Sequence, residues 1–147
     1  MLLEMLATLS AGLFAGAAIY INLVEHPARM ECGSDLAVTE FAPSYRRAAI
    51  MQAVLGATGF FAATVAWLTG SPVWWLVGGI ILGAVIPFTL VVIFPTNKRL
   101  LDSSLDKGSE LASKLLTRWG RLHAVRSALS LISFLLFIFL LGRNVLR

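Results

Sequence analysis

Residues 73–94 read VWWLVGGIILGAVIPFTLVVIF, twenty-two positions without one charged side chain. Coiled as an α-helix this run is about 33 Å long, enough to cross a hydrocarbon core of about 30 Å. Three further apolar stretches of similar length flank it, Met5–Val24, Ala48–Leu68 and His123–Leu141. Turn and charge signals separate the four: Glu25-His26-Pro27, then Gly70-Ser71-Pro72, then the basic segment after Pro95. The 147 residues are 58% hydrophobic and 14% charged, more apolar surface than a soluble fold of this size can bury. Lipid is the solvent that suits them. The expected fold is an all-α membrane protein, one four-transmembrane-helix bundle over residues 1–147. The first stretch carries Glu4 and no Lys or Arg ahead of its apolar run, so it is expected to stay as a helix and not to be a cleaved signal.

Charge placement gives an orientation. Arg29, Arg46 and Arg47 follow the first stretch, and Lys98, Arg99, Lys107, Lys114, Arg118 and Arg121 follow the third, with Arg126 entering the fourth from the same side. Only Arg143 and Arg147 fall on the other face. Ten against two is a strong positive-inside bias, so loops one and three are expected in the cytoplasm and both termini outside, in a bacterial plasma membrane. The net charge of +4 thus reports topology and calls for no nucleic-acid partner. The single cysteine, Cys32, excludes an internal disulfide.

Loops one and three are long, about 23 and 28 residues. Within them Leu36–Arg47 and Leu105–Leu116 mix apolar and charged positions, as short interfacial helices do. Pro27 and Pro95 are expected to end the first and third helices, and Pro87 to kink the third, with Thr89 offering a hydroxyl to the disturbed backbone. Gly12-x-x-x-Gly16 and Gly79-x-x-x-Gly83 let backbones approach closely. They suit packing within the chain, and could also join a homo-oligomer.

Polar groups inside the apolar stretches are the candidates for function. Trp119-x-x-x-His123-x-x-Arg126 puts an aromatic ring, an imidazole and a guanidinium on one helical face. The plain reading assigns Trp119 to the aromatic belt and lets Arg126 snorkel to headgroups. Asn22, Glu25 and His26 close the first stretch, Tyr45 and Gln52 share a face at the entry to the second, and Thr96 and Asn97 follow Pro95. Four crossings bring His26 and His123, the only histidines, to one membrane face. No GxSxG, P-loop, GxGxxG, HExxH or CxxC occurs, which leaves hydrolase, nucleotide and dinucleotide readings unsupported. No metal is expected; if one were present, His26, His123 and Glu25 could form a two-histidine, one-carboxylate iron site, and a bis-histidine haem is also conceivable.

Taken in order, Gly12-x-x-x-Gly16 with His26-Pro27, Phe41–Arg47 leading to Gln52, Pro87-Phe88-Thr89, Pro95-Thr96-Asn97-x-x-Leu100 and Trp119-x-x-x-His123-x-x-Arg126 resemble the anthrone oxygenase-like family of small four-span membrane proteins. The resemblance implies the four-helix fold. It also implies a membrane-embedded oxidoreductase, a monooxygenase that uses dioxygen on a planar apolar aromatic or quinone-like substrate with no bound cofactor, as fungal members oxidise an anthrone to an anthraquinone. On that expectation His123 is the base, Arg126 stabilises the enolate oxygen, Trp119 stacks on the substrate, and His26, Gln52 and Asn97 orient it, with Tyr45 and Asn22 beside them. Such chemistry needs a base near neutral pKa, a cation and an aromatic platform. The alternatives are a non-enzymatic binding or accessory protein for a quinone-like or lipid ligand, and a His-ligated metal enzyme.

Overall fold

In a computed structural model residues 1–145 are described. Arg147, one of the two cations expected on the far face, lies outside the described residues. Helices and short turns make up the whole of this region, and no strand occurs among the described residues. The order is α1 (Leu2–Tyr20), a π-helical turn (Ile21–Glu25), α2 (His26–Glu31), α3 (Ser34–Leu68), α4 (Trp74–Gly83), α5 (Val85–Phe88), a second π-helical turn (Thr89–Ile93), α6 (Phe94–Leu100) and α7 (Glu110–Val145). They assemble into four rods long and apolar enough to cross a membrane: Leu2–Glu31, Ser34–Leu68, Trp74–Leu100 and Glu110–Arg143.

The rods pack as a ring in chain order: α1 on α3, α3 on α4, α4 on α7 and α7 back on α1. Apolar side chains also cover much of the outside, Leu9, Ile50, Val54, Phe61, Leu90 and Val91 among them, as a lipid-facing wall requires. Inside, the apolar contacts fall into two clusters. One centres on Phe14, Trp75, Leu82 and Phe137, with the rings of Trp75 and Phe137 stacked at 5.0 Å. The other, towards the opposite end, holds Val38, Phe41, Ile93, Leu100, Leu116 and Trp119.

Small residues bring the rods close. A Cβ on Gly12 would stand 2.7 Å from the Phe134 ring, and one on Gly83 would stand 2.9 Å from Phe60. Gly79 faces Ala63 and the Phe60 backbone. Three of the four motif glycines are therefore occupied by contacts within the chain, and only Gly16 meets nothing.

The ends of the rods differ from the expectation in an informative way. Leu36–Arg47 is not a separate interfacial helix but the first part of α3, which runs unbroken through Pro43. Leu105–Leu116 divides between the 101–109 connection and the first turns of α7. Pro27 and Pro95 do not end their rods either. A proline ring collides with the carbonyl one α-turn behind it and supplies no N–H. Both prolines follow a π-helical turn directly and sit in the first turn of the next α segment, where neither defect matters. The loops consequently shrink to the Cys32–Gly33 turn, where Gly33 takes φ +87°, and to residues 101–109. At Pro87 the rod is interrupted at Ala84, and the Thr89 hydroxyl donates to the Val85 carbonyl at 2.7 Å.

Candidate functional site

Between the two apolar clusters lies a layer of polar side chains. Its centre is the inner face of α7, where Trp119, His123, Arg126, Ser130 and Ser133 recur at alternating spacings of four and three and are all buried.

The first π-helical turn supplies the partner of His123. Asn22 reaches α7 and donates its amide N–H to the Gly120 carbonyl at 3.0 Å. That bond orients the amide, so its Oδ1 faces the imidazole and accepts the Ser127 hydroxyl at 2.6 Å. His123 Nδ1 lies 2.7 Å from the same oxygen. A carboxamide oxygen only accepts, so Nδ1 carries the proton, and in the neutral imidazole Nε2 is left with the lone pair. This is the tautomer a general base needs.

The Trp119 ring is the hub of an aromatic cluster. It stacks on His123 at 4.7 Å, packs against His26 at 5.2 Å and takes the edge of Phe41 at 5.2 Å. Gly120 makes room for this, because a Cβ there would stand 2.6 Å from His26 Nε2. Tyr45 stacks on the far part of the cluster, 5.6 Å from Phe41.

Two buried arginines stand in the layer with opposite surroundings. Arg29 is paired with Glu25 and with Glu40, its Nε 2.8 Å from Glu40 Oε2, and lies 5.9 Å from the Trp119 ring. Ser44 completes this group by donating to Glu25 at 2.6 Å. Arg126 has no carboxylate partner among the described residues. It donates to the neutral Gln52 Oε1 at 2.6 Å and lies 5.6 Å from the Phe14 ring, while its Nε and the Gln52 amide nitrogen have no partner. A guanidinium at this depth without a counter-anion is costly. Tyr45, Gln52, Trp119, His123 and Arg126, with Glu25, Arg29 and Ser44, line one partly enclosed cavity of about 20 Å³, room for a water molecule.

The expected site residues thus divide. Asn22, His26, Tyr45, Gln52, Trp119, His123 and Arg126 come together, although His26 and Asn22 stand behind the cavity and do not line it. Asn97 departs from the expectation. It is fully buried with both amide atoms unpartnered, lies outside the cavity lining, and stands in the third rod between Ile93 and Leu100 of the second apolar cluster. The conditional metal set of His26, His123 and Glu25 is not assembled: both imidazoles pack on Trp119, Glu25 is held by Arg29 and Ser44, and no three potential ligands converge among the described residues. Arg29, Ser44, Gly120 and Ser127 escaped the sequence reading. Arg29 lies three residues after His26, one helical turn, a signal hidden by taking Pro27 as the end of the rod.

The anthrone oxygenase family model matches residues 41–136. The chain belongs to the anthrone oxygenase family. No curated protein and no solved structure matches it. The family match takes in Tyr45, Gln52, Trp119, His123 and Arg126, whereas the first rod, with Asn22, His26 and Arg29, lies outside it.

Proposed function

We propose that this anthrone oxygenase-family protein is a membrane-embedded oxygenase that oxidises a planar, apolar, enolisable aromatic with dioxygen and no bound cofactor. The observation that carries the reading is a buried, anion-deficient Arg126 lining the same cavity as His123, whose Nδ1 proton is fixed by Asn22. Family membership supports oxygen chemistry of this general kind.

The chemistry assigned to these groups balances without a further reagent. His123 Nε2 takes a proton from a doubly benzylic CH₂, and the electron pair moves onto the ring oxygen as an enolate. Arg126 neutralises that oxyanion. The enolate carbon then passes its electrons to dioxygen and forms a C–O bond, giving a hydroperoxide. Loss of the remaining C–H proton, with departure of hydroxide from the peroxide, leaves a ketone and water. One CH₂ and one O₂ become one C=O and one H₂O.

Oxygen uptake with an anthrone tests this in purified protein. Uptake should persist in chelator and fall by about 10²–10⁴-fold in His123→Ala, the range general acid–base catalysis supplies. An iron enzyme would instead lose activity to chelator and regain it with iron. Tight anthrone binding with no uptake by wild-type protein would leave a binding or accessory role.

A further inference from the structure

The cavity of about 20 Å³ beside His123 admits a water or a dioxygen molecule and no aromatic ring. Arg126 and Gln52, however, also line a second chamber of about 150 Å³ on their other side. Its walls are Phe14, Ala49, Ala53, Val85, Ile86 and Leu90, with Tyr45 and Thr89 the other polar members. The Thr89 hydroxyl donates to its own rod, and the buried N–H groups of Arg126 Nε and Gln52 Nε2 stand unpartnered at the inner end. Leu90 is 62% exposed, so the chamber reaches the lipid-facing surface. A neighbouring cleft of about 480 Å³, lined by Phe60, Phe61, Gly83 and Pro87, continues it past the shared Ile86.

We infer that the substrate enters sideways from the bilayer between the second and third rods and lodges a ring in this chamber, with its inner edge against Arg126 and Gln52, the two groups this chamber shares with the cavity of His123. The inference rests on the oxygenase reading for its substrate class and adds the binding site. Volume favours this occupant: a closed apolar cavity of about 150 Å³ accepts benzene. A fused-ring molecule can place one ring there and run the others along the cleft. Ala49 and Ala53, one turn apart on α3, leave a flat slot in that wall. Charge also favours it, because the inner end offers one cation and an amide N–H, and no competing carboxylate pairs with them among the described residues. The third rod is irregular just here, at Ala84 and at Thr89–Ile93. Irregular backbone at membrane depth is tolerated where it lines a cavity.

The test measures binding, not turnover. Wild type, Ala49→Phe, Ala53→Phe and the lipid-facing control Val54→Phe are reconstituted in lipid nanodiscs and titrated with a dihydroxyanthraquinone, read by quenching of tryptophan fluorescence. The two chamber-filling variants should weaken binding about tenfold or more, and Val54→Phe less than about twofold, at unchanged thermal stability. Arg126→Met should abolish the tighter binding of the ionised phenolate over the neutral phenol. Unaltered binding in both Ala49→Phe and Ala53→Phe overturns the inference. So does a phospholipid that co-purifies with wild type, is released by Ala53→Phe and leaves the anthraquinone unbound. If the chamber variants lose binding while wild type takes up no oxygen, the chamber stands and the oxygenase reading falls.

Discussion

His123 is a base only if the proton sits on the right nitrogen, and Asn22 decides that. Without the Asn22 carboxamide, Nδ1 and Nε2 would share the proton, and part of the protein would present N–H where a lone pair is needed. Asn22→Ala is therefore expected to lower turnover by about one to two powers of ten while anthraquinone binding holds. Nitrogen NMR of the labelled histidine should show mixed tautomers in the variant and Nδ1–H alone in the wild type. Arg126→Lys keeps the charge but loses the planar fork, and should cost less than His123→Ala. The i, i+4, i+7 spacing of Trp119, His123 and Arg126 was enough to read this face from the sequence. Asn97 was not readable, because its facing depends on how the second π-helical turn rotates α6 against α7, and no spacing within the chain reports that rotation.

At the scale of elements, the two prolines show why apolar length was legible and helix ends were not. Hydrophobic runs measure what lipid covers, whereas α3 extends for residues 34–47 beyond its apolar part, about 20 Å of helix. The π-helical turns that carry the chain past Pro27 and Pro95 leave no compositional mark. Close approach between rods can be tested at two glycines. Gly120→Ala forces a methyl onto the His26 ring and should destabilise the protein by about 1–3 kcal/mol. Gly16→Ala meets open space inside a helix and should stabilise by about 0.5–1 kcal/mol. Thermal unfolding in one detergent compares them, and equal shifts in the two variants would contradict the packing described.

For the whole molecule, the orientation expected from the charge bias would put the polar layer at the cytoplasmic end, with Ser71 outside and the 101–109 connection inside. The exposed Cys32 lies on the same side as that connection and is a built-in probe. In intact cells an impermeant maleimide should leave wild-type Cys32 untouched, and should label Ser71→Cys, but not Ser104→Cys, in a Cys32→Ser background. Labelling of Ser104→Cys from outside would reverse the orientation.

The polar layer sits between an apolar cluster within the lipid-facing rods and a second one in their extensions beyond it. On the proposed reading, that position solves a partition problem. An anthrone concentrates in oil, while the proton it must lose and the water it must release belong in the aqueous phase. A groove between the first and second rods, lined by Glu25, Glu40, Ser44 and Arg47 together with Tyr20, Ile21 and Met51, adjoins the inner cavity. The protein then works as a phase-transfer catalyst: carbon arrives and leaves through the oil, and protons through the water, without either phase crossing the other.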